Sequence, residues 1–221
     1  MRDYLGWHDD YDRPGSRLHL RLLVVEDLVA RALDELPPGR VRLLSMCAGQ
    51  GRDVLTVASR HRRGADLEGR LVELHPQNVG AAREAVARLG LHGLEVVEGD
   101  AGLSDSYAGA TPAELVLACG VFGNVTDEAI ARTVEFLPSL CAPNATVVWT
   151  RHRRDPDLTP AIRTWFAAAG FDEVAFDAPD GFIFGVGVHR LARDPDPFVP
   201  GLKLFDFVGS DQSWPFPTEP A

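Results

Sequence analysis

Between residues 41 and 170, short apolar runs alternate with amphipathic stretches, and this alternation restricts the fold more than any single motif. "VRLLSM" (41–46) reads as a buried strand and residues 52–61 as a helix. "GRLVEL" (69–74) is a second strand. The helix after it (76–90) has Pro76 suited to its first turn and Gly90 to its C-terminal cap. "LEVVEG" (94–99) and "AELVLACG" (113–120) are strands three and four. "TDEAIARTVEFL" (126–137) is a helix with Thr126 as N-cap and acids in its first turn. "ATVVWT" (145–150) is a fifth strand. Residues 159–170 form a helix with Thr159 as cap, Pro160 in its first turn and Gly170 beyond its end. Strand–helix alternation predicts an α/β fold with a parallel sheet covered on both faces. The rhythm then changes. "FDEVAFDA" (171–178) and "GFIFGVGVHRL" (181–191) are too close for a crossover helix, so they predict an antiparallel hairpin closing the sheet.

The flanks behave differently. Leu18, Leu22, Val25, Val29, Leu33 and Leu36 recur at three- and four-residue steps, a long amphipathic helix that "PPG" (37–39) stops. Residues 1–39 are expected to form an N-terminal helical extension and 40–193 the core. Residues 194–221 read as a proline-rich tail, with Leu204, Phe205, Phe207 and Val208 packing on the body. No apolar run approaches the ~20 residues of a membrane span, and the charged, aromatic N-terminus has no apolar leader segment. Cys47, Cys119 and Cys141 lack metal-ligand spacing and read as reduced thiols of a cytoplasmic protein. A net charge of −10 makes nucleic acid an unfavourable main partner. Two "RHRR" runs, at 60–63 and 151–154, break that trend. The first sits at a helix end, where cations suit the dipole.

The chemistry begins at "LLSMCAGQGRDVL" (43–55), a strand–glycine turn–helix. A dinucleotide turn would read G-x-G-x-x-G; here Val54 stands where the third glycine belongs. Other markers follow in order at strand ends. Glu73 ends the second strand, where a carboxylate can accept from both hydroxyls of a ribose. Asp100 follows the third, where it can accept from an adenine amino group, with the Ala101 amide offered to a ring nitrogen. "LACGVFGN" (117–124) follows the fourth. Open α/β sheets bind ligands at this edge.

This set resembles the class I S-adenosylmethionine-dependent methyltransferases over roughly residues 40–190. The resemblance implies a Rossmann-like three-layer sandwich, with a seven-stranded, mostly parallel sheet of order 3-2-1-4-5-7-6 and an antiparallel last strand. It also implies S-adenosylmethionine as cofactor, held by Ser45, Cys47, Ala48, Gly49, Gly51, Glu73, Leu74, Asp100, Ala101 and Cys119. The family loop is acid-x-G-x-G-x-G; here the acid is Ser45 and the first glycine Cys47. Both departures weaken the expected grip on the cofactor, and Asp53 could supply some of the missing charge.

Methyl transfer from a sulfonium needs alignment and desolvation, and a base only when the acceptor arrives protonated. Acceptor motifs are therefore weak. Cys119 and Thr150–Arg151 end the fourth and fifth strands where metal-dependent relatives place acids, so no metal is expected. Cys119 lacks the context of a cytosine-C5 nucleophile. A small-molecule acceptor remains, with Trp7, His8, Tyr11, Phe122, Asn124 and His152 as candidate lining residues. Asn124 and His152 are the candidates for a direct catalytic role. The "YLGWHDDYDRPGS" segment (4–16) could cover the pocket, and Arg151, His152, Arg153 and Arg154 could receive an anionic acceptor. The alternatives are a non-catalytic binding protein of the same fold and a nicotinamide-dependent reductase; the missing third glycine and the hairpin disfavour the latter. Monomer and homodimer remain open.

Overall fold

The computed structural model describes residues 10–179 and 181–208. The elements run α1 (Arg17–Glu35), β1 (Val41–Met46), α2 (Arg52–Arg60), β2 (Leu67–Glu73), α3 (Pro76–Leu89), β3 (Leu94–Glu98) and β4 (Ala113–Ala118). They continue with α4 (Asp127–Phe136), β5 (Cys141–His152), α5 (Thr159–Ala168), β6 (Phe171–Asp177) and β7 (Phe184–Leu191). The strands form one seven-stranded sheet of order β3-β2-β1-β4-β5-β7-β6. β1 to β5 pair in parallel, and β7 lies antiparallel between β5 and β6. The expected Rossmann-like order and the closing hairpin are both present.

Local signals explain most boundaries. Ser16 caps α1 by accepting from the His19 N–H at 3.1 Å, and Thr126 caps α4 by accepting from Ala129 at 3.2 Å. Gly90, at φ +66°, ends α3. The α5 cap departs from expectation: Thr159 is the first helical residue. The Asp157 carboxylate accepts from both its N–H (2.9 Å) and its hydroxyl (2.8 Å), because an acid there meets the orphan amides and the positive dipole end. β5 is longer than its apolar run suggests. At its start a register shift between Ala113 and Leu115 accommodates the extra residues, with Asn144 at φ +59°. At its end Thr150, Arg151 and His152 pair with β7 alone. A ladder is backbone chemistry, and polar side chains hide it from a hydrophobic reading.

One face of the sheet carries α1 and α2 over Val29, Leu33, Leu43, Leu71 and Leu117. The other buries Met46, Val72, Tyr107, Phe122, Trp149 and Phe166. Trp149 and Phe166 stack at 5.8 Å with planes 13° apart, and the Trp149 indole donates to His189 Nδ1 at 3.1 Å. Each fully buried large side chain contributes about 1.5–3 kcal/mol.

The first "RHRR" run does more than complement a dipole. Arg63 is buried, and its guanidinium donates to the carbonyls of Leu33 and Leu36 at 2.7 Å and of Pro37 and Gly39 at 2.8 Å, with Asp66 at 3.0 Å. The carbonyls left open at the end of α1 and in its prolyl stop are thereby paired across 24–30 residues of sequence. Arg60 reaches Glu26 and Arg62 reaches Asp34, both at 2.7 Å.

Candidate functional site

Because β1 to β4 are parallel, their carboxyl ends open onto one edge. The β1 turn is the tightest part. Cys47, Gly49 and Gly51 all adopt left-handed backbone, at φ +53°, +56° and +71°. A side chain at Gly51 would also meet Leu71 at 2.8 Å. Cys47 bears the strain of that conformation, of order 1–3 kcal/mol. The turn is fastened by the Ala48 N–H to Val72 carbonyl bond at 2.9 Å. Ser45 is buried within β1.

Glu73 is the anchor of the site. Its buried carboxylate accepts from the Gly49 N–H through Oε2 and from the His75 N–H through Oε1, each at 2.8 Å. Both oxygens keep a lone pair for another donor. Leu74 stands outside, 63% exposed.

At the end of β3, the Asp100 carboxylate accepts from the Gly102 N–H at 2.7 Å and from Lys203 Nζ at 2.8 Å. The Asp100 carbonyl accepts from the Ser106 hydroxyl at 2.6 Å, and the Ala101 carbonyl from the Tyr107 hydroxyl at 2.6 Å. A trans peptide points its N–H opposite to its carbonyl, so the Ser106 bond also fixes the aim of the Ala101 amide. Cys47 lies within electrostatic reach of both acids. Burial, and then the charges of Glu73 and Asp100, push its thiol far up and keep it neutral. Glu73, Asp100 and the turn therefore converge.

A second group gathers at the other end of the turn. The Tyr11 hydroxyl accepts from Arg21 at 2.6 Å, and the Arg52 guanidinium lies 5.7 Å from its ring centre. Arg52 also donates to Asp12 at 2.9 Å and to Gln50 at 3.0 Å, so the Asp10–Asp12 turn is fastened to the glycine loop. Burial pushes the Asp53 carboxyl up to about 6, against the lowering pull of the Val54 amide and Arg21. Burial likewise raises the Cys119 thiol well above its ordinary value, with the Asp53 charge adding to it. A neutral buried thiol is a poor nucleophile. Trp7 and His8 lie outside the described residues.

Beyond β4 the Gly120 N–H donates to Thr150 Oγ1 at 2.9 Å. The Asn124 side chain donates to the Gly120 carbonyl at 2.7 Å and rounds off the loop. Phe122 is fully buried, 6.0 Å from Trp149 and 6.5 Å from Phe166. This corrects the expectation that its ring lines a pocket: an aromatic with two aromatic neighbours in the core gains more by burial. Only its carbonyl faces outward chemistry, accepting from Arg151. His152, half-buried, has an Nδ1 without a hydrogen-bond partner among the described residues. Burial, then Arg151 and Arg154, push its imidazole down to about 4. Arg153 is paired with Asp157 at 3.1 Å. Among the described residues no three His, Cys, Asp or Glu side chains are grouped to hold a metal ion, and no helix is long and apolar enough to cross a membrane.

The sequence reading did not assign Lys203, Arg21 or Ser106 to this edge. Lys203 lies 103 residues from its partner Asp100, and no local pattern encodes such a meeting.

The sheet order, the glycine turn and the acids at the ends of β2 and β3 define the Rossmann-like class I S-adenosylmethionine-dependent methyltransferase fold. A family model described as "Putative methyltransferase" matches residues 7–170, and the chain belongs to that methyltransferase family. No curated protein matches it. Among solved structures, it is similar to an O-methyltransferase family protein from Burkholderia thailandensis: TM-score 0.59, 17% identity, covering 87% of this chain and 70% of that one. It is also similar to magnesium protoporphyrin IX methyltransferase from Synechocystis with bound S-adenosylmethionine: TM-score 0.60, 12% identity, 77% and 79% covered. A third is an RNA methyltransferase from Salinibacter ruber in complex with S-adenosylhomocysteine: TM-score 0.50, 16% identity, 80% and 95% covered.

Proposed function

We propose that this chain transfers a methyl group from S-adenosylmethionine to a small-molecule acceptor by in-line displacement, without a metal. The observation that carries the reading is Glu73, whose carboxylate is held by the amides of two different loops, each at 2.8 Å. That pre-orientation suits acceptance from two ribose hydroxyls. The residues fit the cofactor elsewhere too. Asp100 keeps acceptor capacity for an adenine amino group, and the Ala101 amide is aimed by the Ser106 bond. Asp53 and the Cys119 carbonyl are the groups nearest in chemistry to what an ammonium needs, and Asp53 compensates for Ser45.

The cofactor supplies a methyl group already activated by positive sulfur. The protein holds it, excludes water and orients the acceptor. Tyr11 and the Asp10–Asp12 turn cover the methionyl end, while Asn124 and His152 face the acceptor. With its imidazole near 4, His152 is neutral at pH 6–8 and able to take a proton. The net charge of −10 favours a small acceptor over a nucleic acid.

Calorimetric titration with S-adenosylhomocysteine tests the reading. Glu73→Gln should weaken binding at least about tenfold, since one charged hydrogen-bonded contact is worth ~1.5–3 kcal/mol. Equal affinities for wild type and variant would sink it. If His152 is the base, His152→Ala should lower kcat and abolish the fall in rate as pH drops toward 4.

A further inference from the structure

The segment after β7 crosses the site. Leu202, Lys203 and Leu204 run antiparallel to Gly102, Leu103 and Ser104. The Ser104 N–H donates to the Leu202 carbonyl at 2.9 Å and the Leu204 N–H to the Gly102 carbonyl at 2.7 Å. The Leu202 N–H donates to Ser104 Oγ at 2.9 Å, and Arg132 donates to the Leu204 carbonyl at 2.8 Å. Leu204 and Phe205 are fully buried. A side chain at Gly102 would fall 2.2 Å from the Phe205 carbonyl, so the approach depends on that glycine. Further on, the Val208 N–H donates to the Asn124 carbonyl at 2.8 Å. The strap thus touches both the loop after β3 and the loop after β4.

Within this frame Lys203 meets two acids. Its ammonium donates to Asp100 Oδ2 at 2.8 Å and Asp206 Oδ1 at 2.7 Å. The pair is over a third exposed, and exposed pairs add little to stability. The backbone bonds and two buried side chains hold the strap without it. What Lys203 does provide is orientation. With Gly102 N–H on one oxygen and Lys203 on the other, the Asp100 carboxylate is held in one rotamer, each oxygen keeping a lone pair.

We propose that Lys203 is a positioning residue for base recognition. By fixing the Asp100 carboxylate, it sets the preference for a purine bearing an amino group, a donor, over one bearing a carbonyl there. The inference rests on the cofactor reading of Asp100 given above.

Titration of S-adenosylhomocysteine and S-inosylhomocysteine into wild type, Lys203→Ala, Lys203→Arg and Asp100→Asn separates the possibilities. Lys203→Ala should weaken the adenosyl ligand about three- to tenfold and reduce the adenosyl-to-inosyl affinity ratio, with an unchanged melting temperature. Lys203→Arg should restore the ratio. Equal weakening of both ligands, leaving the ratio intact, would assign Lys203 a structural role only and overturn the proposal. If Asp100→Asn changes the ratio and Lys203→Ala does not, the cofactor reading stands and the positioning role fails. If wild type binds neither ligand, both fail.

Discussion

Asp53 shows how a single residue can serve opposite interests. Its carboxyl titrates near 6 in the folded chain against 3.8 for the ordinary group. A carboxyl raised on folding contributes stability below the unfolded value and loses it as pH rises through the folded one. The ionised acid therefore destabilises the protein at pH 8. Asp53→Asn should raise stability there by about 1–2 kcal/mol, after discounting for partial exposure, and change little at pH 4. Melting temperatures of both proteins at the two pH values check this. On the cofactor reading the same substitution should weaken S-adenosylmethionine binding. Gly51 is simpler: at φ +71° with Leu71 2.8 Å from any added carbon, Gly51→Ala should cost about 1–3 kcal/mol in chemical denaturation. The glycine turn, Glu73 and Asp100 were legible in the sequence because each follows an apolar strand at a fixed place. Phe122 was misread because an aromatic in a glycine-rich loop looks the same whether it faces a ligand or the core.

Between elements, Arg63 joins the end of α1 to the start of β2. Arg63→Ala would leave the Leu33, Leu36, Pro37 and Gly39 carbonyls without their donor. The expected loss is about 2–4 kcal/mol in denaturant unfolding. Lys should recover only part of it, since an ammonium lacks the planar fork that serves several acceptors at once. A variant as stable as wild type would mean that water satisfies those carbonyls. The helices and the closing hairpin were readable from period and punctuation. The extra length of β5 was not: its last three residues pair only with β7, through backbone groups that carry no sequence signal.

For the molecule as a whole, acid is the telling perturbation. His189, buried and stacked 4.3 Å from Phe166, is pushed down to about 4 chiefly by burial, as is His152. A histidine lowered on folding binds its proton more readily when unfolded, so its stabilising effect is present above about 6.5 and is lost as pH falls toward 4. Asp53 works in the opposite sense over an overlapping range and offsets part of the loss. Stability should therefore fall between about pH 6.5 and 4. His189→Gln should flatten that limb, measured as melting temperature against pH, whatever its cost at pH 7. Alternation and the hairpin made a parallel sheet with an antiparallel close predictable, whereas the strand order came from the family resemblance. The packing of Leu204 and Phe205 was expected, whereas Phe207 and Val208 stay exposed. The place of the strap against Gly102–Ser104 was not legible, because that pairing is made by backbone groups in a proline-rich segment with neither helical nor strand period.

The strap also has a consequence for biosynthesis. Every strand of the sheet precedes residue 192, whereas Lys203 and the two side chains that seat it come later. A chain emerging N-terminus first can complete its sheet before this segment is available. Glu73 meets its Gly49 partner early, but Asp100 must wait for Lys203. On the cofactor reading, the nascent protein should therefore complete its proposed ribose site before its proposed base site, and be folded before it can discriminate.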